Sequence, residues 1–80
     1  MENYFWLIDN ATTPSGVMDE IKIEASTKEE AIRQANIAWS RLTLREQKKR
    51  DAFYICYAPE IEEDVPDLDR AEIVHDFKEV

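Results

Sequence analysis

Residues Ser26 to Leu42, STKEEAIRQANIAWSRL, decide how this chain is read. Ala31, Ile32, Ala35, Ala38, Trp39 and Leu42 recur at helical spacing and make one apolar stripe. Ser26 followed three residues later by Glu29 is a capping-box pattern, in which each side chain satisfies a free amide of the other residue. Glu29 and Glu30 near the start, and Arg41 near the end, suit the helix dipole. The main helix is therefore expected over residues 27–42. A helix of this kind needs a second apolar layer, and the flanking sequence supplies strands.

Before it, Asn3 to Asp9, NYFWLID, is apolar on both alternating sets, as in a strand covered on two sides or facing an interface. Asn10 to Gly16, NATTPSG, holds the only glycine and reads as a loop. Val17 to Ala25 alternates Ile21, Ile23 and Ala25 with Glu20, Lys22 and Glu24, so a strand with one wet face is expected, paired to the first as a hairpin.

After it, Thr43 and Glu46 repeat the capping pattern and open a short basic helix over residues 44–50. Asp51 to Ala58, DAFYICYA, is rich in aromatic and β-branched residues and reads as a third strand stopped by Pro59. Glu60 to Asp69 is an acidic loop that Ile61, Val65 and Leu68 would pin to the body. The tail, Ala71 to Val80, fits helical spacing through Leu68, Ala71, Val74 and Phe77, and strand alternation through Ile73, His75 and Phe77. The strand is adopted, since a fourth strand pairs an otherwise open edge. The expectation is a small α+β domain: an antiparallel sheet of three to four strands, in the order β-β-α-α-β-β, covered by one main helix.

The span from Ser26 to Ala58, with EEA at Glu29 to Ala31, Trp39, LT at Leu42 and Thr43, EQKKRDAFY from Glu46 to Tyr54, and DFK at Asp76 to Lys78, resembles small uncharacterised proteins of Gram-positive and gut bacteria and of their phages or mobile elements. The resemblance implies a fold and a mobile-element setting. It carries no catalytic residue.

Eighty residues form one domain with one modest core, and 35% charged residues beside 44% apolar ones is globular composition. No apolar run approaches the ~20 residues of a membrane span, and no signal-peptide layout opens the chain, which points to the cytoplasm. A lone cysteine, Cys56, has no partner for an internal disulfide and is expected as a core residue. The formal charge is −8, which disfavours direct nucleic-acid binding, and it is unevenly spread. Between Arg33 and Arg50 six bases face one acid, whereas Glu60 to Glu79 holds nine acids and two bases.

The chemistry-bearing residue types are few. One histidine and one cysteine do not make a transition-metal site, and the acidic run lacks the glycine-centred calcium loop. A Cys56–His75 pair would need the last two strands to bring them together. A single glycine, Gly16, excludes a phosphate-cradling loop. No cofactor, metal or catalytic residue is expected. The residues expected at a partner surface are the acids Glu60, Glu62, Glu63, Asp64, Asp67 and Asp69 and the bases Arg45, Lys48, Lys49 and Arg50. The reading is a protein-binding module, monomeric or homodimeric, with no enzymatic activity. The alternative is an acidic mimic of nucleic acid that inhibits a DNA-processing or defence enzyme.

Overall fold

A computed structural model describes residues 2–12 and 18–78. Residues 13–16 of the expected loop, the first residue of the expected second strand, at 17, and the end of the tail, at 79–80, lie outside them. Two strands come first, β1 (Asn3–Ala11) and β2 (Met18–Ile23), then two helices, α1 (Lys28–Ser40) and α2 (Leu44–Lys48). The long strand β3 (Arg50–Glu62), the two-residue β4 (Val65–Pro66), a 3-10 turn at Leu68–Arg70 and β5 (Glu72–Asp76) complete the chain. All pairings are antiparallel: β1 lies between β2 and β3, and the far side of β3 takes β5 along its first half and β4 near its end. Among the described residues the protein is thus α+β, with two α-helices and a five-stranded antiparallel sheet, one strand more than the expected maximum because the acidic stretch contributes β4.

β1 is apolar on both alternating sets because it is central. Leu7 points to the α1 side, where it packs with Ala31, Ala35, Phe53 and Ile55. Trp6 and Ile8 point the other way, into a second cluster with Cys56 and Ala58. An interface is not needed to explain this strand. On the α1 side, Ala31 and Ala35 are fully buried one turn apart, and their small side chains let the helix axis approach the sheet. Ala38, Trp39 and Leu42 extend the same stripe. Among the described residues neither α-helix packs on the second cluster; Tyr4, Tyr54, Leu68 of the 3-10 turn and Ala71 pack against it.

Several boundaries differ from the sequence expectation. α1 begins one residue later than Ser26 capping implies: Thr27 is the N-cap, and the Glu30 N–H donates to its Oγ1 at 3.2 Å. Ser-Thr-Lys-Glu-Glu contains the capping pattern twice, offset by one. The chain uses the second, with the Ser26 N–H donating to Glu30 Oε2 at 3.3 Å. The helix ends at Ser40 with Arg41 as C-cap, short of Leu42. α2 is the capping box expected, with Thr43 and Glu46 exchanging both bonds, but it ends at Lys48 rather than at residue 50. Arg50 is drawn into β3 opposite Ala11.

Pro59 does not stop β3. It faces Asn3, the first residue of β1, so the missing amide falls where that ladder ends. On its other side its carbonyl accepts from the Asp67 N–H at 2.8 Å. The expected acidic loop is therefore partly a hairpin, turned at Asp64, whose φ of 60° is a left-handed conformation that Asp tolerates better than most residues. Leu68 packs on the second cluster as expected, whereas Ile61 is 55% exposed and pins nothing. The tail forms β5 against β3, with Val74 as the extra residue of a bulge between the His75 and Ile73 pairings.

Candidate interaction surfaces

The ten residues expected at a partner surface fall into two groups, carried at opposite ends of β3. At roughly 3.3 Å per residue its 13 residues reach about 40 Å, close to the 38 Å long dimension of the molecule. Arg45, Lys48 and Lys49 precede the strand and Arg50 opens it, while Glu60 and Glu62 lie at its far end and the other acids follow it. The uneven charge of the sequence is thereby a separation in space.

At the basic end, Arg45, Lys48 and Lys49 are exposed and make no ion pair among the described residues. The acidic loop does not compensate them. Arg50 does not belong with them. Its Nε lies 2.8 Å from Asp9 Oδ1, close enough for an ion pair though off the line of a hydrogen bond, and its Nη1 donates to the Glu46 carbonyl at 3.3 Å. Arg50 is a structural residue that ties the start of β3 to β1.

Beside α2 lies a cleft of about 320 Å³ lined by Trp39, Leu44, Gln47, Lys48, Phe77 and Lys78. Its floor is aromatic: Trp39 and Phe77 are 6.1 Å apart between ring centres, and both pack on Phe53, at 4.8 and 5.7 Å. The Gln47 side chain donates to the Trp39 carbonyl at 3.1 Å and Lys78 Nζ donates to the Gln47 carbonyl at 3.3 Å, which fixes α2 and the tail against α1. Leu44, 76% exposed, stands at the mouth. Sequence reading gave α2 its charges and passed over Leu44, the one apolar residue in TLREQKKR; it also had no means of bringing Phe77 and Lys78 to Trp39.

At the acidic end the residues divide again. Glu60 Oε2 accepts from the Asp64 N–H at 2.8 Å and from Lys22 Nζ at 3.2 Å, and these contacts, the amide first, hold its carboxyl below the usual range. Lys22 also lies 3.8 Å above the Tyr4 ring, so Glu60 belongs to the packing of the second sheet face. Asp67 caps the 3-10 turn and sits 3.6 Å from Arg70. Glu62, Glu63, Asp64 and Asp69 are left exposed. Among the described residues no group of three or more His, Cys, Asp or Glu side chains comes together as a metal site.

A larger groove, about 610 Å³, opens between the start of α1 and the sheet, over Phe5 and Tyr57, whose rings are 4.8 Å apart. Glu24 and Glu30 line it with Lys22, and no cysteine, histidine or serine–base pair enters it apart from the isolated Ser26. Cys56 and His75 do not meet. Cys56 is buried in the second cluster, and burial pushes its thiol up to about 11, while His75 is opposite Ile55 on the α1 side and stacks edge-on against Phe77 at 4.5 Å. Among the described residues no helix is long and apolar enough to cross a membrane. No family model, curated protein or solved structure matches the chain.

Proposed function

We propose that the chain is a small, cytoplasmic, non-catalytic protein-binding module of phage or mobile-element origin, and that its docking site is the cleft beside α2. In this reading α1 is the cover of one sheet face, and the outer side of α1 with α2 is what meets the partner. The observation that supports it is Leu44, three-quarters exposed at the mouth of an aromatic-floored cleft whose rim carries Lys48 and Lys78. Such a site suits an apolar anchor on an acidic segment of a protein: the anchor fills the cleft and removes Leu44 from water, and the lysines select the charge. Nucleic acid would meet the same lysines, but the surrounding charge of −8 repels it.

The test is retention of proteins from host lysate on the immobilised chain, at low and at high salt, with wild type, Leu44→Asp, Lys48→Glu and the triple change Glu62→Gln, Glu63→Gln, Asp64→Asn compared. A partner bound by wild type and by the triple variant, weakened about 10- to 100-fold by Leu44→Asp, supports the cleft. A partner unaffected by both cleft changes removes it.

A second reading, the acidic mimic, is favoured by one observation: Glu62, Glu63 and Asp64 are exposed together at a hairpin tip, at the other end of β3 from Arg45, Lys48 and Lys49. It requires a nucleic-acid enzyme that is released by salt and by the triple variant while Leu44→Asp still binds it.

A further inference from the structure

β2 is the outermost strand on its side of the sheet, and its outer edge pairs with no other strand among the described residues. Two of the usual devices that close such an edge are absent from it. Its register with β1 runs unbroken from Ile23 opposite Phe5 to Met18 opposite Asn10, with neither a bulge nor a proline. Met18 and Ile21 are 43% and 46% exposed along it. The guard that is present is charge, and MDEIKI carries both signs, Asp19 and Glu20 against Lys22, so its charges do not repel a second copy in every register.

We propose that β2 pairs antiparallel with β2 of a second copy of this chain, about a two-fold axis at Ile21, joining the two sheets into one. The geometry restricts the choice. Antiparallel pairing of identical strands puts the axis normal to the sheet, so residues directly opposite one another share a face and the axis must pass through a residue position. Asp19, Ile21 and Ile23 lie on the α1 side, as their partners Asp9, Leu7 and Phe5 require; Met18, Glu20 and Lys22 lie on the other.

With the axis at Glu20, two Glu20 carboxylates face each other, and with it at Asp19 or Lys22 like charges meet in the same way. An axis at Ile23 matches Lys22 with Glu24 of the partner, but leaves Ile23 as the sole position that lies within the strand on both chains. The axis at Ile21 keeps residues 19–23 in strand on both sides and sets the two Ile21 side chains together. It also places Glu20 opposite Lys22 of the other copy twice over. Lys22 Nζ rests 3.2 Å from Glu60 and 3.8 Å above the Tyr4 ring, inward of β2, so pairing with Glu20 of the second copy draws it outward from that contact. The occupant is thus a second copy, selected by charge complementarity that only the Ile21 register combines with pairing along the strand.

The experiment is the solution mass of the full chain by light scattering after size exclusion, over a range of concentrations, with circular dichroism and thermal midpoint recorded for each variant. Wild type is expected as a concentration-dependent dimer. Glu20→Lys alone faces lysine with lysine, Lys22→Glu alone faces glutamate with glutamate, and both are expected as folded monomers. When the two variants are mixed, one chain offers lysine at both positions and the other offers glutamate at both, and a heterodimer is expected to return. Ile21→Lys, which leaves the Lys22–Glu60 contact in place, is expected to be monomeric even if Lys22→Glu proves too unstable to use. A wild-type monomer at every concentration overturns the proposal, as does a dimer that persists in Glu20→Lys and Ile21→Lys, or a mixture of folded variants that stays monomeric.

Discussion

Replacing Trp6 by Phe tests the account of the second sheet face. The indole is fully buried, and its Nε1–H donates to the Ala58 carbonyl at 3.0 Å. Ala58 lies between the Tyr57–Glu72 pair with β5 and the Glu60–Pro66 pair with β4, a stretch of β3 where the outer ladder changes partner. Phenylalanine keeps a ring but removes the donor, and a buried acceptor left unpaired costs about 1–3 kcal/mol. The smaller ring adds about 1–2 kcal/mol for lost contact and the space left behind. A loss of roughly 3 kcal/mol is expected, from a total that for 80 residues is about 4–12 kcal/mol. At about 4–8 °C per kcal/mol for a domain this small, the thermal midpoint falls by roughly 10–25 °C. The assay is urea unfolding followed by far-ultraviolet circular dichroism, with an unchanged slope establishing that the native and unfolded states are comparable. Trp39→Phe is the control, since Trp39 is half-buried and its ring edge lines an open cleft; about 1 kcal/mol is expected there. A Trp6→Phe loss below about 1 kcal/mol, or no larger than that of Trp39→Phe, refutes the role given to the indole bond.

Alkali should weaken the fold through Cys56. Its thiol is raised from 9.0 to about 11 by burial, so the unfolded chain releases that proton first, and the stability present below pH 9 is lost as pH rises to about 11. The loss approaches about 3 kcal/mol, and Cys56→Ala should flatten this limb in urea titrations at pH 8 to 11; an identical slope in both proteins would contradict it. Tyr54, raised mainly by burial, adds a remainder in the same direction. On the acid side the Glu60 carboxyl is held low, so its contribution is present above about pH 4.5 and lost as pH falls through the lower folded value. Glu60→Gln should therefore shallow the fall of thermal midpoint below that pH, and an unchanged acid limb counts against the Asp64 and Lys22 contacts. Thr43→Ala breaks the α2 capping box and should cost about 0.5–2 kcal/mol, seen by chemical denaturation.

What was legible in the sequence was local. The α1 stripe, the second capping box and the alternation of DAFYICYA each depend on residues within a few positions of one another, and the structure contains all three elements. The errors came where a local rule met a distant partner. Proline stops a strand when its amide is needed, and Pro59 sits where β1 has already run out. A capping pattern written twice, at Ser26 and Thr27, cannot select its own register. A loop without glycine still turned, because Asp64 accepted a left-handed backbone whose N–H is tied to Glu60. The site residues show the same division. The charge blocks were visible, but Arg50 left the basic group for Asp9, and Glu60 left the acidic group for Lys22, through pairings 41 and 38 residues apart that no spacing rule reaches.

The two proposals also constrain each other. A two-fold axis normal to the sheet leaves both copies of α1 on one side of the joined sheet, so a β2-paired dimer would present two α2 clefts to the same side rather than back to back. A partner carrying two acidic segments would then be held at both, and the second contact would form at the effective concentration set by the first. Breaking the dimer with Ile21→Lys removes that gain without touching Trp39, Leu44, Lys48, Phe77 or Lys78. Binding to a single acidic segment should be unchanged in Ile21→Lys and weakened in Leu44→Asp, whereas a two-segment partner should lose affinity in both. If Ile21→Lys weakened the single segment as much as the double one, the edge and the cleft would be parts of one surface, although no residue of β2 lines the cleft.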